Sequence, residues 1–288
     1  MLVGPTAGGK SRAGVLVARE LGAEIVSLDS MLLYRGMDIG TDKPATGGVA
    51  HHLIDLLDPG ERFDLRRYIE QADRAISDIA ARGRRVLVVG GTGLYLRGLL
   101  KGVFEGAARN DTLRARLAAI EPAVLHARLG EVDPEAAASI HRNDRRRITR
   151  ALEVHAATGR PLSALQTQFE GPDRYPAILA GLAWPRRALK ERVQARVAAM
   201  FQAGLVAEVS GLSLGPTAAQ AVGYKEVLGA LRGEYDLQEA RRLIERNTMR
   251  LARRQATWFK RFPIRWVDGT ADDVAGRLLE IYRGSTSE

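Results

Sequence analysis

The residues best suited to chemistry lie close to the first residue of the chain. They match the phosphate-binding pattern G-x-x-x-x-G-K-[ST] and are Gly4, Pro5, Thr6, Ala7, Gly8, Gly9, Lys10 and Ser11. In such a loop, successive backbone N–H groups turn towards phosphate oxygens, and the helix that follows directs its positive end to the same place. Lys10 is expected to neutralise the outer phosphate and Ser11 to hold a Mg²⁺ ion. Phosphate chemistry is therefore the first hypothesis.

Two polar residues at the ends of predicted strands are candidates to act beside that loop. Asp29 follows a strand predicted over 24–28, and strand C-termini are where α/β sheets bind ligands. Its role stays open between a metal ligand, a general base and a turn former. Thr92 follows the next strand, where nucleoside triphosphatases usually carry an acidic residue. Thr92 is either a donor to a leaving pyrophosphate oxygen or the cap of the next helix. Because the acidic residue is missing at this position, an ordinary NTPase is disfavoured.

The elements that would position these groups alternate between strand and helix. Strands are predicted over 1–3, 24–28, 85–89, 177–183 and 264–267, and helices over 10–21, 65–82, 189–201 and 237–261. This order predicts an α/β fold with a P-loop NTPase-like parallel sheet core. A phosphate loop normally follows a strand of about five residues, so the short first strand leaves open an earlier start or a clipped strand.

Between the third and fourth predicted strands the chain changes character. Residues 102–172 carry only helix signals and many arginines, so we predict an inserted all-helical domain there, with the core formed by 1–101 and 173–288. Asp133 is expected to cap a helix that has Pro134 in its first turn. Asn143 is expected to cap a second helix that stops at Gly159. A frayed tail is expected over 284–288.

The composition limits the classes of protein to consider. Of 288 residues, 45% are hydrophobic and 27% charged, as in an ordinary globular protein. The absence of cysteine excludes disulfides and thiolate metal sites, and no i, i+4 histidine pair is present. No apolar run has the length of a membrane span and no signal peptide is evident, so a cytoplasmic location is expected. The net charge of +9 favours a polyanionic partner.

Six motifs in order along nearly the whole chain resemble one family. They are the phosphate loop and the runs Asp29–Pro44, Val89–Tyr95, Asp144–Glu153, Val222–Glu226 and Arg254–Phe259. Together they are similar to the tRNA dimethylallyltransferases, also called tRNA isopentenyltransferases. Gly8 departs from the pattern, because the family usually has Ser or Thr there. Without zinc-finger spacing or a transit peptide, the chain resembles the bacterial type.

This resemblance implies a prenyl transfer to RNA. A dimethylallyl group would pass from dimethylallyl diphosphate to N6 of the adenosine next to the anticodon, tRNA position 37, with release of diphosphate. The phosphate loop would then hold a diphosphate leaving group, with Mg²⁺ at Ser11. Asp29 would take the proton of the amine, and Lys10, Thr92 and Arg196 would act on the diphosphate. From the residues alone, Arg196 would be a solvated charge on a helix. A monomer is the default expectation.

Basic and aromatic residues supply candidates for the RNA contact. Arg242, Arg246, Arg250 and Arg254 recur every four residues and form one basic stripe, unless Glu239 and Glu245 pair with it as a solvated face. A second cluster, Arg146, Arg147 and Arg150, suits the anticodon stem. With the resemblance, the expected tRNA-binding residues are Asp29, Ser30, Met31, Leu32, Thr92, Arg114, Arg146, Arg147, Ile148, Thr149, Arg150, Val222, Gly223, Tyr224, Lys225, Arg253, Arg254, Gln255, Thr257, Trp258 and Lys260.

Three other functions are to be weighed against this one. A relative that prenylates free adenine nucleotides is disfavoured by the helical insertion and the two basic clusters, which a small nucleotide does not need. A P-loop small-molecule kinase is disfavoured by the missing acid after Val89. An RNA-binding protein without activity is disfavoured by the combination of Lys10, Ser11, Asp29 and Thr92.

Overall fold

A computed structural model describes residues 1–104, 108–167 and 171–284. The chain divides into two compact units. The core unit comprises Met1–Leu99 and Tyr175–Glu288, and the helical unit comprises Leu100–Arg174, so the predicted boundaries of 102 and 172 differ from it by two residues at each end. Residues 285–288 of the predicted frayed tail lie outside the described residues.

A six-stranded sheet forms the centre of the core unit. Its strands are β1 (Leu2–Val3), β2 (Ala23–Leu28), β3 (His51–His52), β4 (Arg85–Gly90), β5 (Ala180–Ala183) and β6 (Arg265–Asp268). Their order is β3-β2-β4-β1-β5-β6, and every neighbouring pair is parallel. All six residues of β2 are buried, as expected for a parallel strand covered on both faces. The predicted P-loop-like parallel core is therefore confirmed.

Thirteen α-helices are found in the described part of the chain. They are α1 (Lys10–Leu21), α2 (Leu65–Ala81), α3 (Gly93–Lys101), α4 (Asp111–Ala118), α5 (Pro122–Val132), α6 (Pro134–Ser139), α7 (Arg145–Thr158), α8 (Leu162–Leu165), α9 (Arg186–Gln202), α10 (Leu205–Gly211), α11 (Tyr224–Leu231), α12 (Leu237–Phe259) and α13 (Val274–Gly284). None of the helices described is long and apolar enough to cross a membrane.

Helix α1 fixes the phosphate loop at the carboxyl end of β1. It begins after Gly9 (φ +78°) and ends at Gly22 (φ +62°), both in the left-handed region that favours glycine. Its apolar face, which includes Val17 and Ala18, is buried in the core beneath the sheet. A Cβ on Gly14 would lie 3.0 Å from a methyl group of Val89, so this glycine allows the helix to approach β4 closely.

The helical unit has a hydrophobic core of its own, which includes Leu125, Leu129, Ile148 and Val154. The predicted Asp133 cap is confirmed, because its Oδ1 accepts a hydrogen bond from the N–H of Ala136 (3.0 Å) with Pro134 in the first turn.

The predicted Asn143 cap is wrong. Helix α7 is capped one residue later by Asp144, whose Oδ1 accepts a hydrogen bond from the N–H of Arg147 (3.1 Å). Asn143 lies in the turn before the helix, where its backbone carbonyl accepts a hydrogen bond from the N–H of Arg145 (3.0 Å). Gly159 (φ +66°) ends this helix as expected.

The predicted strands do not include β3 (His51–His52), which pairs with β2 in the sheet. The other differences from the predicted elements concern their ends. Strand β5 begins at Ala180 and not at residue 177, because its partners in β1 and β6 pair only from that position. Helix α9 begins three residues earlier than predicted, directly after Pro185, whose fixed backbone suits a helix start. Helix α12 ends at Phe259, two residues before its predicted end.

Candidate functional site

The phosphate loop opens into a cleft of the core unit. The cleft has a volume of about 860 Å³. Its walls are the phosphate loop, the end of β2 with Asp29, the segment 38–45 and one face of α9. This is the edge at which parallel strands present their carboxyl ends, where α/β folds bind ligands. Lys10, Ser11, Asp29 and Arg196, chosen from the sequence, thus line one cavity.

Three carbonyl groups of the phosphate loop accept hydrogen bonds from groups within the protein. The Pro5 carbonyl accepts hydrogen bonds from the N–H of Gly8 (3.1 Å) and from Nζ of Lys10 (2.7 Å). The Ala7 carbonyl accepts from Nε of Arg192 (2.8 Å), and the Gly8 carbonyl from Nε1 of Trp184 (3.0 Å). The first N–H groups of α1, by contrast, have no carbonyl one turn earlier to bond to. This arrangement suits an anion at the helix start.

Gly8 fits this loop because it has no side chain. A Cβ at this position would lie 2.8 Å from the Pro5 carbonyl oxygen, which is closer than real Cβ atoms approach such a group. The departure from the family pattern at Gly8 therefore matches the conformation of this chain. Ala7 beside it has φ +60°, so the loop bends through left-handed geometry even at a residue with a Cβ.

Lys10 lies within a cluster of charges. Its removal from water lowers the pKa of its ammonium to about 8, with Asp29 acting in the opposite direction and Arg196 adding to the decrease. An amine in this setting holds its proton less tightly than a surface lysine. A bound anion would restore that proton affinity, since opposite charge favours the charged form.

Arg196 connects the phosphate loop to the segment 38–45. Its Nη1 donates to Oγ1 of Thr6 (3.2 Å) and lies 3.5 Å from Oδ2 of Asp42, and its Nη2 donates to the Thr41 carbonyl (3.2 Å). Burial lowers the pKa of Arg196, while Asp42 and Asp29 oppose the change. The group remains charged because an arginine does not lose its proton in proteins. The alternative of a solvated surface charge is contradicted, since only 21% of its side chain is exposed.

Asp29 is both a turn former and a cleft residue. Its Oδ1 accepts a hydrogen bond from the N–H of Met31 (2.8 Å), which orders the turn after β2. The same side chain lines the cleft with Lys10. The roles of turn former and general base, two of the three that the sequence leaves open for Asp29, are therefore compatible with one another.

Thr92 lies next to this turn. Its N–H donates to the carbonyl of Leu28 (3.1 Å), and its own carbonyl accepts from the N–H of Tyr95 (2.9 Å) and of Leu96 (3.0 Å) at the start of α3. Of the described residues near it, Val89 and Gly90 line the cleft, and Thr92 does not. The backbone of Thr92 thus serves as a helix start, and its hydroxyl remains a predicted donor.

Helix α12 contacts the phosphate loop and the glycines beside Thr92. Oε1 of Gln255 accepts a hydrogen bond from the N–H of Thr6 (2.7 Å), and its amide leaves no room for a Cβ on Gly91. A Cβ on Gly93 would lie 2.9 Å from Cβ of Trp258, whose ring has the guanidinium groups of Arg97 (5.2 Å) and Arg261 (4.9 Å) near it. Both side chains, predicted to read RNA bases, therefore make contacts within the protein.

Several members of the predicted tRNA-binding set remain on the surface. In the basic stripe, Arg242 forms an ion pair with Glu239, as the alternative of a solvated face proposed, whereas Glu245 lies 3.5 Å from Arg241, which is not part of the stripe. Ser30, Met31, Leu32, Thr149 and Val222 are half-buried. The exposed members of the set are Arg146, Arg147, Lys225, Arg253, Arg254, Thr257 and Lys260, beside which Arg246 and Arg250 of the stripe are also exposed.

The structure contradicts the prediction that two side chains of that set contact RNA. Tyr224 and Ile148 are fully buried, so neither offers its side chain to an RNA. Ile148 belongs to the core of the helical unit. Gly223, which precedes Tyr224, is also buried and has φ +102°, and its N–H donates to Oε2 of Glu226 (2.8 Å). Gly223 and Tyr224 therefore make their contacts within the protein.

Arg114 and Arg150 hold a buried carboxylate in the helical unit. Glu153, with 1% of its side chain exposed, accepts hydrogen bonds from Arg114 (2.8 Å twice), from Arg150 (2.6 Å) and from the N–H of Asn110 (2.7 Å). Burial alone would raise the pKa of Glu153, but these donors outweigh it and lower the pKa to about 2. A structural role thus accounts for both arginines without an RNA.

Replacement of Arg114 by alanine is expected to destabilise the protein. Loss of one partner from a buried ion pair costs about 3–5 kcal/mol, and Arg150 would offset part of it, so we expect a loss near the lower bound. Chemical denaturation followed by circular dichroism measures the change in the free energy of unfolding. The control is Arg146→Ala, whose exposed side chain should affect stability little. Equal stability of the two variants would contradict the structural role.

The fold and the site define a class of protein. A parallel sheet, a phosphate loop at the end of its first strand and a cleft that contains Lys10 and Arg196 are typical of a P-loop protein that binds a phosphorylated substrate.

Comparison with known proteins gives the particular family. The model of the IPP transferase family matches residues 32–262. The tRNA dimethylallyltransferase of Symbiobacterium thermophilum is 47% identical over 97% of this chain and 92% of that protein, and that of Geobacter sulfurreducens is 46% identical over 94% and 92%. The chain belongs to the IPP transferase family.

Solved structures agree with this assignment. The tRNA isopentenylpyrophosphate transferase of Bacillus halodurans has a TM-score of 0.73 and 36% identity over 99% of this chain and 94% of that one. A eukaryotic dimethylallyltransferase solved while acting on tRNA has a TM-score of 0.86 and 25% identity over 99% of this chain and 78% of that one.

Proposed function

We propose that this chain transfers a dimethylallyl group from dimethylallyl diphosphate to N6 of the adenosine next to the anticodon of a tRNA. The observation that carries the proposal is the meeting of Lys10, Arg196 and the start of α1 in one cleft with the carboxylate of Asp29. An anion-binding end and a proton acceptor in one cavity match the two needs of this reaction. The names of the relatives, tRNA dimethylallyltransferase, support the same substrate class.

The first need is to stabilise the leaving group. As the C–O bond of the allylic diphosphate breaks, its electron pair goes to the diphosphate oxygen, and positive charge develops on the allylic carbon. Donors that are already in place at the point where negative charge grows lower this barrier. Lys10, Arg196 and the N–H groups at the start of α1 are such donors, because contacts within the protein hold the loop before the substrate arrives.

The second need is to accept a proton. The lone pair of N6 forms the new C–N bond, and the nitrogen then carries an excess proton that leaves to a base. In our proposal, this proton passes to the carboxylate of Asp29. One oxygen of that carboxylate is oriented by the N–H of Met31, so the side chain is held in place as a base requires.

A Mg²⁺ ion fits the residues at this end of the cleft. Mg²⁺ is commonly bound by one or two protein oxygens together with substrate phosphates and waters. Ser11, at the start of α1, supplies one hydroxyl at the cleft. Within the described part of the chain no group of three acidic, histidine or cysteine side chains could hold a metal by itself. When bound, the ion would neutralise charge on the diphosphate, and Ser11 would be its ligand from the protein.

The exposed arginines of the helical unit give a prediction for tRNA binding. Arg146 and Arg147 are exposed, whereas the charge of Arg150 is engaged by Glu153. If Arg146 and Arg147 each contact a phosphate, replacing both by glutamine lowers the slope of log K against log salt by about 1.4–1.8. The measurement is tRNA affinity by fluorescence anisotropy over a salt series. Arg187→Gln, at a site 94% exposed, is the control, and an unchanged slope in the double variant would contradict the contact.

Transfer of radiolabelled dimethylallyl diphosphate to unmodified tRNA with Mg²⁺ tests the proposed function. Parallel reactions contain AMP in place of tRNA, and ATP hydrolysis is measured separately. Label in tRNA alone is the expected result. Label in AMP would show the nucleotide-prenylating activity instead, and ATP consumption without prenyl transfer would show a kinase or ATPase.

A further inference from the structure

One carboxylate outside the catalytic set binds three consecutive backbone amides. Oε2 of Glu208, in α10, accepts hydrogen bonds from the N–H groups of Asp38 (3.0 Å) and Ile39 (2.7 Å), and its Oε1 accepts from the N–H of Gly40 (3.1 Å). Consecutive N–H groups that point to one spot form a nest that commonly holds an anion. Here the protein supplies the anion from its own chain, and bonds from amides to a charged acceptor are strong ones.

The segment that Glu208 holds is a wall of the cleft. Asp38, Ile39, Thr41 and Asp42 all line the cavity. Arg196 donates to the carbonyl of Thr41 and lies near the carboxylate of Asp42, so its guanidinium depends on where this segment lies. Glu208 binds the amides directly before these two residues. A shift of the segment would therefore move the arginine that bridges to Thr6 of the phosphate loop.

Further contacts fix the same segment from its two sides. The hydroxyl of Tyr224 donates to Oε1 of Glu208, and the ring of Tyr224 leaves no room for a Cβ on Gly40. At the other end, Lys43 donates to the carbonyl of Tyr34 (3.0 Å) and is ion-paired with Asp38 and Asp55. Only 12% of the Lys43 side chain is exposed. The segment is thus held between α10 and the chain that follows β2.

We infer that Glu208 is a positioning residue for the leaving-group site. It acts through the segment 38–42 and Arg196, and not by contact with substrate. The expected effect on kcat rests on the proposed function. The expected effect on the affinity for a diphosphate does not, because it is independent of the molecule that accepts the prenyl group. The buried Tyr224 contributes to the same positioning, because its hydroxyl donates a hydrogen bond to Glu208.

The test compares Glu208→Ala, Glu208→Gln and Tyr224→Phe with a matched control. The control is Glu191→Gln in α9, a carboxylate that is 64% exposed and pairs with Arg187 outside the cleft. Five quantities are measured for each variant. They are the affinity for inorganic diphosphate with Mg²⁺ by titration calorimetry, kcat for label transfer, KM for tRNA, KM for dimethylallyl diphosphate, and the melting temperature.

Glu208→Ala is expected to weaken diphosphate binding and to lower kcat by about 10²-fold, since a misplacement of about 1 Å has that effect on a catalytic group. Glu208→Gln keeps one acceptor oxygen and should fall between the alanine variant and the wild type. Tyr224→Phe should change both quantities in the same direction but less, and KM for tRNA should stay at the wild-type value in all three. The Glu191→Gln control should behave as the wild type.

Two kinds of result would overturn the inference. One is a diphosphate affinity and kcat in Glu208→Gln equal to those of the control. The other is a loss of activity that follows only the melting temperature, with KM for tRNA affected as much as that for the diphosphate substrate. If Glu208→Ala does not fold, the glutamine and phenylalanine variants decide. A wild-type protein that binds diphosphate through this wall but labels no tRNA would refute the proposed function and leave the inference intact.

Discussion

Replacement of Asp29 by asparagine is expected to lower kcat for prenyl transfer by about 10²–10⁴-fold, the usual contribution of a general base. Asparagine keeps an oxygen that can accept the hydrogen bond from the N–H of Met31, so the turn after β2 should persist. What it loses is the ability to take the proton that N6 gives up as the C–N bond forms. Single-turnover transfer of radiolabel to tRNA measures this step without product release.

Binding measurements separate this chemical role from a structural one. We expect tRNA affinity of Asp29→Asn to stay near the wild-type value, because the exposed arginines proposed to bind tRNA, Arg146 and Arg147, are unchanged. Asp29→Ala should be equally inactive, and any additional loss of stability would report the broken turn. The control is Asp58→Asn, an exposed acid that pairs with Arg35. Unaltered turnover in Asp29→Asn would refute the general-base role.

The parts of this site that the sequence predicts are those specified by short patterns. The phosphate loop is eight adjacent residues, and the alternation of strand and helix around it is a local periodicity. The loop lies where the pattern requires, at the end of β1 and the start of α1. One strand, β3, is missing from the prediction, because two residues are too few to show a periodic pattern. The other errors in the elements lie at their ends, such as the cap at Asp144 instead of Asn143. Ends depend on single hydrogen bonds, which composition does not fix.

Contacts between distant parts of the chain could not be predicted in this way. Gln255 bonds to Thr6 across 249 positions, and Arg192 bonds to Ala7 across 185. Glutamine and arginine also occur on solvated helix faces, so the residue type alone does not indicate such a contact. The same limit explains the assignment of Arg114 to RNA binding, because its partner Glu153 is 39 positions away. For Arg150 a signal existed, since a glutamate three residues later on a helix is a common ion-pair spacing.

The glycines near the site were the strongest unused signal. Gly91 and Gly93 flank Thr92 directly after the predicted strand 85–89. In the structure, each also makes room for a side chain of α12, Gln255 at one position and Trp258 at the other. A glycine that repeats beside a predicted site can therefore indicate the close approach of another element. The partner itself cannot be named from the sequence.

The second large effect concerns Lys10, and it should appear in the pH dependence of the reaction. Because the pKa of Lys10 is lowered to about 8 in the free protein, its charge is present below that pH and is lost above it. The kcat/KM for dimethylallyl diphosphate reports the free enzyme, so it should fall as the pH rises through about 8. A bound diphosphate raises the pKa of this ammonium, and kcat at saturation should therefore hold its value to higher pH.

Two substitutions assign that decrease to Lys10. Lys10→Arg keeps its charge over the whole range, since a guanidinium does not titrate there, so the alkaline fall in kcat/KM should disappear even where the overall rate is lower. Lys10→Met removes the charge and should cost about 10²–10³-fold in kcat near neutral pH, as the loss of one donor to a developing anion does. An alkaline fall that persists unchanged in Lys10→Arg would place the titrating group elsewhere, because no charge change at position 10 would then remain to cause it.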